Sequence, residues 1–368
     1  MEAVFQNSDI ADIGYKVLRG ERLSREDGIR LFKTGDLLAL GYLADTVRRR
    51  KNGDKAYFIV NRHINHTNVC ENLCKFCAFG RKEGENGAFT LTPEEIEAKA
   101  LATAGERITE IHIVGGLNPA LKLDYYIEVL QRVRRALPKV YIQSFTAVEI
   151  DYLARMHDLS LEEVITTLRE AGLDSLPGGG AEIFSPRVRR IVCPNKISGE
   201  RWLEVHRTAH RLGMRTNATM LYGHVETVEE RVDHLLALRE LQDETGGFLT
   251  FVPLSFHPQN TALCQMGVNA GPTGIDDLKV LAVARLILDN FDHIKAFWIM
   301  IGPKLAQVSL NFGVDDLDGT VVEEKIAHDA GAATGQYISR REIVDLIRAA
   351  GRVPVERDTL YNVIREGF

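Results

Sequence analysis

The chain has 368 residues, 45% hydrophobic and 26% charged, with 45 lysines and arginines against 51 aspartates and glutamates for a net charge of −6. That size supports one large α/β domain with a substantial core, and the composition is that of an ordinary folded enzyme, which excludes disorder. Scattered basic residues and a pI near 6.0 exclude a nucleic-acid-binding class, and no apolar run reaches the roughly 18 residues of a membrane helix. The first residues, MEAVFQNSDI, lack the basic-then-apolar layout of a secretory leader, so a cytoplasmic location is expected.

Residues 1–50 show helical periodicity, with Ser24 as a cap and no strand pattern. They are expected to form a helical N-terminal extension ahead of a domain spanning 51–368. From residue 56 onward short apolar runs alternate with longer helical segments, the pattern of repeated βα units. Strands are predicted at 57–61, 110–114, 140–144, 173–176, 215–221, 249–253, 294–299 and 308–312. Thr92, Pro93 and Glu95 make a capping box with proline in the first turn, followed by an apolar face of Ile96, Ala100, Leu101 and Ala104. Ser160 with Glu163 opens a helix ending near Gly172, and Thr227 with Glu230 opens another whose Val228, Val232, Leu235 and Leu238 share a face. Ser339 with Glu342 starts a last helix that closes at Gly351, so the C-terminal end is expected to be helical. Eight strands with intervening helices predict a (β/α)8 TIM-type barrel, in which catalytic groups sit where strands run into the following loops.

Immediately after the first strand comes NRHINHTNVCENLCKFCAFGR, where Cys70, Cys74 and Cys77 follow a C-x3-C-x2-C spacing. Five cysteines, three of them clustered, argue for a metal rather than a disulfide framework, and the isolated Cys193 and Cys264 read as structural thiols. A 4Fe-4S cluster usually takes four cysteines, so three leave one iron open to a small-molecule ligand. The competing reading is a zinc site completed by His63 or His66, although no second Cys/His pair with zinc spacing follows. A non-catalytic Fe-S electron carrier is a further alternative.

This spacing, with Phe76 before the last cysteine, resembles the signature of the radical S-adenosylmethionine (SAM) superfamily. The resemblance implies that Cys70, Cys74 and Cys77 hold a 4Fe-4S cluster whose fourth iron takes SAM, and that the SAM is split to an adenosyl radical. It places Gly115 and Gly116 of IHIVGGLNP against the methionine part of SAM, with Leu117 where the superfamily usually has an acid. ATMLYGHVET resembles the segment flanking the adenine, with Thr219 in the first glycine position, Gly223 retained, and Glu226 expected to support the next helix. Ser144 and Glu182, at strand ends, are candidates for the SAM ribose or ammonium group. The run Pro177-Gly178-Gly179-Gly180 indicates backbone packed closely near a ligand.

GLDSLPGGGAEIF, LQDETGGFLTFVPLSFHPQNT, LNFGVDDLDGT and PVERDTLY resemble the menaquinone (futalosine pathway) and deazaflavin branch of that superfamily. PLSFHPQNT and FGVDDLDGT look most like the members that add the adenosyl radical to the enolpyruvyl group of 3-[(1-carboxyvinyl)oxy]benzoate. SAM is then a consumed co-substrate, and the electron comes from a donor such as flavodoxin or ferredoxin. A substrate with two carboxylates needs cationic or hydrogen-bonding groups on the active face. Asn65, His66, Asn68, Arg81 and His257 are the candidates, with Lys304 behind them. Asp315, Asp316 and Asp318 are expected to bind a hydroxyl or order the last loop, with Arg357 as a pairing partner. The rival readings are the branch's cyclase and deazaflavin-precursor synthases and, from another class, a zinc-dependent barrel hydrolase.

Overall fold

The computed structural model describes residues 4–102 and 107–368. Ala104, counted on the apolar face after Pro93, lies outside the described residues, as do residues 1–3. Ten strands are assigned among the described residues: β1 (Lys55–Ile59), β2 (Asn61–Asn65), β3 (Glu110–Val114), β4 (Tyr141–Ser144), β5 (Thr216–Tyr222), β6 (Phe248–Ser255), β7 (His293–Ile294), β8 (Asp316–Gly319), β9 (Val353–Arg357) and β10 (Val363–Glu366).

They pair as three sheets in the orders β2-β3-β4, β5-β6-β7 and β10-β9-β1-β8, parallel throughout except for β10 against β9. Single parallel bridges link them: Gln143 to Ser175, Leu176 to Thr216, and Lys295 to Asp316. The expected barrel is thus met in part, as an α/β arrangement of parallel strands with helices between them, regular within sheets and joined by isolated bridges.

Three predicted strands differ in extent or place. The fourth, 173–176, contributes only the bridges at Ser175 and Leu176. The seventh is cut to two residues, because Trp298–Ile301 turns into a helix. The eighth was expected at 308–312, but that stretch ends the helix Pro303–Ser309, and the strand is Asp316–Gly319. An Asp-Leu-Asp-Gly sequence has little strand propensity. It becomes a strand because its charges are met inside the fold: Arg357 reaches Asp316 at 2.7 Å and Lys295 reaches Asp318 at 2.8 Å. The C-terminal end is also not wholly helical, since after Arg340–Ala349 the chain forms β9 alongside β1, with β10 exposed at the edge.

The predicted capping boxes at Thr92, Ser160, Thr227 and Ser339 are all formed, and equivalent boxes start at Ser24, Thr146 and Thr273. At the N-terminal end, Ala11–Arg19, Arg25–Lys33 and Leu37–Asn52 are helical. Their apolar faces, carrying Ile13, Leu31 and Leu43, merge with the same hydrophobic core as the helices around the sheets. No described helix is long and apolar enough to cross a membrane.

Arg357 is fully buried against Asp316, so truncating it leaves a carboxylate without its counter-charge. Arg357→Met is expected to lower stability by about 3 to 5 kcal/mol. A urea titration followed by circular dichroism reads this as a lowered midpoint, and an unchanged midpoint would show that the pair contributes nothing.

Candidate active site

The loop after β2 is tied down on several sides. Cys70 N–H donates to the Arg81 carbonyl at 3.0 Å and Arg81 N–H to the Asn68 carbonyl at 2.8 Å, so residues 68–81 fold back on themselves. Asn68 completes the turn with its side chain, donating to the Gly87 carbonyl and accepting from Phe89 N–H. Lys75 N–H donates to the Val192 carbonyl at 2.8 Å, anchoring the far side. Cys70, Cys74 and Cys77 all face one cavity of about 330 Å³. Burial pushes the Cys74 thiol up to about 12 and raises Cys77 as well. Burial raises the isolated Cys193 in the same way, so it is the shared cavity that sets the three loop cysteines apart.

The glycine pair after β3 has a steric reason that sequence spacing does not reveal. A Cβ on Gly116 would collide with the Val69 carbonyl and one on Gly115 with His66, so both glycines admit the cysteine loop itself. Both also line the cavity. The Pro177 to Gly180 run is on the same wall, and its Gly178 packs against the backbone of Asn217 and Ala218.

Thr219 faces the cavity and donates to the Gly178 carbonyl at 2.5 Å. Glu182, at a positive φ of 47°, faces it too and accepts from Lys196 at 2.6 Å. The Lys196 ammonium also lies 5.0 Å from the Phe76 ring centre, beside the cysteine loop. Ser144 stands off the cavity wall, buried with an unpartnered hydroxyl, because strand alternation turns its neighbour Gln143 inward instead.

The substrate candidates separate in the same way. Asn65 and His257 line the cavity, but Asn65 is bonded to the Val114 carbonyl and Lys325 N–H, and His257 Nε2 to the Met300 carbonyl. His66 is buried behind Gly115, where it bonds Glu149 at 3.2 Å and meets Tyr126 and Phe145 edge-on. Asn68 and Arg81 serve the loop, Arg81 donating to the Ala78 and Gly80 carbonyls. Lys304 is exposed on its helix, away from the cavity. Glu226 is buried and accepts from Gly223 and His224 N–H while pairing with Arg231 in the next helix, so it braces the turn after β5.

Sequence inspection missed most of the floor of the cavity: Asn61, Glu110, His112, Gln143, Asn217 and Lys295 line it, together with His63, weighed above only as a zinc ligand, and Asp318, expected to bind a hydroxyl or order the last loop. Most lie in mid-strand, where loop-based reasoning does not look. The signal was the alternation in NRHIN and EIHIV, polar residues at every second position of strands buried on both faces. Burial and the neighbouring His112 bring His63 down to about 3, so both imidazoles are neutral.

Among the described residues no three His, Cys, Asp or Glu side chains converge on one ion position.

Residues 64–238 match the model of the radical SAM superfamily, and 245–366 match that of the CofH/MqnC C-terminal region. The aminodeoxyfutalosine synthase of Thermus thermophilus is 49% identical over 96% of this chain and 95% of its own. The 5-amino-6-(D-ribitylamino)uracil–L-tyrosine 4-hydroxyphenyl transferase of Methanococcoides burtonii is 41% identical over 93% of this chain and 96% of its own. The chain belongs to the radical SAM superfamily. It is a radical SAM enzyme of transferase type, using a 4Fe-4S cluster and SAM. Its fold matches the crystal structure of methylornithine synthase with a TM-score of 0.74, at 19% identity, covering 93% of this chain and 96% of that one.

In this radical SAM fold the cavity mouth is bordered by a strap after β8, through Glu324, Ile326, Ala327 and Ala330. His328 fastens the strap, bonding the Glu324 carbonyl and carboxylate through Nδ1 and the Thr334 carbonyl through Nε2. The carboxylate raises His328 from 6.5 to about 9, so the bound imidazolium stabilises the strap fully below 6.5 and loses that contribution as pH rises through about 9. Amide exchange in 324–334, corrected for intrinsic rates, is expected to quicken across that window. His328→Gln should abolish the dependence, and equal protection at both ends of the window in the unaltered protein would refute it.

Proposed function

We propose that this chain is an aminodeoxyfutalosine synthase of menaquinone biosynthesis. The observation that carries the reading is identity of 49% and 47%, over 96% of the chain, to two synthases, against 40% to 42% to the uracil–tyrosine transferases. In this reading Cys70, Cys74 and Cys77 hold the cluster, their common cavity and buried thiols fitting that role. With cluster and SAM bound, the chemistry supplied is a 5'-deoxyadenosyl radical, added to the enolpyruvyl double bond of 3-[(1-carboxyvinyl)oxy]benzoate to give 6-amino-6-deoxyfutalosine with loss of the side-chain carboxylate.

The chain's own residues bind, orient and exclude. Phe76, Gly115, Gly116, Glu182 and Thr219 form the wall nearest the cysteines and hold SAM. Gly115 and Gly116 let the loop close over the strands, so the cysteines and the co-substrate share one pocket. The strap from Glu324 limits water at the mouth, which a reactive radical requires. A one-electron donor of the flavodoxin or ferredoxin type completes the reaction. The bridges at Ser175, Leu176 and Lys295 support reading the three sheets as one (β/α)8 barrel, with 1–50 as its helical extension and 51–368 as the catalytic domain.

Anaerobic, reduced enzyme incubated with SAM and 3-[(1-carboxyvinyl)oxy]benzoate is expected to yield a product that retains the adenine, detected by mass spectrometry. Free 5'-deoxyadenosine with the benzoate unchanged rejects the synthase and favours a hydrogen-abstracting member of the branch. Cys74→Ala should lose the brown absorbance and all SAM cleavage, whereas retained turnover removes Cys74 from the cluster.

A further inference from the structure

The cavity wall carries two cationic side chains among the described residues, Lys196 and Lys295. Lys196 is committed beside the cysteine loop, paired with Glu182. Lys295 stands at the other end. It follows β7 directly, its backbone bridges Asp316 in β8, and its ammonium donates to Asp318 Oδ1 at 2.8 Å. An ammonium has three donors, and among the described residues the hydrogen bond recorded for Lys295 uses one of them.

The surroundings are built for a ligand. The His63 ring lies 4.5 Å from that of His112 and stacks at 6.3 Å on Phe297. Asp318 Oδ2 is buried without a hydrogen-bond partner among the described residues, an acceptor left for a donor group such as a bridging water. Asp318 also sits at a φ of 63°, a left-handed conformation that costs a non-glycine residue energy and is retained where geometry matters. The carboxylate candidates nearer the mouth are spent on backbone carbonyls or face away from the cavity.

We propose that Lys295, steered by Asp318 and flanked by the His63–His112 pair, anchors the ring carboxylate of the aryl substrate. This rests on the synthase reading. The enolpyruvyl carbon that is attacked has to face the cysteine end, which turns the retained ring carboxylate to the floor. A buried ammonium takes a carboxylate there, and Phe297 with the imidazole stack offers an aromatic surface to the ring. Lys295 is therefore a substrate-binding and specificity-determining residue.

The test uses cluster-loaded enzyme with SAM but no reductant, so binding is measured without turnover. Dissociation constants are taken for 3-[(1-carboxyvinyl)oxy]benzoate and for its counterpart with a carboxamide on the ring. Wild type is expected to prefer the acid by about tenfold or more, as a charge-assisted hydrogen bond implies. Lys295→Met should collapse that ratio to near one, Lys295→Arg should keep part of it, and SAM affinity should be equal in all three. If the methionine variant does not fold, Lys295→Gln carries the comparison. A Lys295 variant that keeps the full preference overturns the inference, as does a wild type with none. Adduct formation by wild type is read separately: binding preference without adduct removes the synthase reading and leaves the anchor, and adduct with an unaltered preference in the variant does the reverse.

Discussion

Burying a carboxylate costs several kcal/mol unless an opposite charge or several hydrogen bonds replace the lost water, and β8 with the residue before it buries three. Asp315 is held between Arg285 and His293, Asp316 by Arg357, and Asp318 by Lys295. The four partners come from three parts of the chain: Arg285 from the helix Gly274–Ile287, Arg357 from β9, and His293 and Lys295 from β7 and the residue after it. The acidic segment therefore ties β8 to that helix, to the β7 end and to β9 by charge pairing, where an ordinary strand would use apolar side chains. β9 lies against β1, and from there Arg357 reaches across to Asp316 in β8.

That arrangement gives the cavity two chemically distinct ends. At one, a loop of thiols and glycines is folded on its own backbone, with a lysine–glutamate pair beside it. At the other, the inward-facing positions of β2, β3 and β8 place imidazoles, amides and a second lysine–aspartate pair on the floor. Apolar residues, among them Val114, Leu221, Val252 and Leu254, occupy the wall between. The cavity thereby offers polar contacts at its two ends with an apolar stretch between them, where electrostatic contacts are stronger than in water.

The glycines serve this division. Gly115 and Gly116 bring the cysteine loop onto the strand ends without leaving a gap, and the loop's own hydrogen bonds close its remaining polar groups. Positioning of the thiols is consequently a property of backbone packing. His66 and Asn68, which look like ligand groups in the sequence, are spent on holding that packing in place.

The sequence by itself determined the chemistry and the rhythm of the fold. Cysteine spacing identified the superfamily, capping boxes marked helix starts, and most strands fell where short apolar runs lay between them, because these signals are local. It could not determine which polar residues face the cavity. Ser144 and Gln143 are neighbours on one strand, and only pairing with Ser175 and Asn217 decides that Gln143 points inward. Nor could it place the last strand in an aspartate-rich stretch or make Lys295 a floor residue. Those outcomes depend on charges that lie far apart in the chain and meet only once the sheets come together, and a buried ion pair is favourable in that assembled state alone.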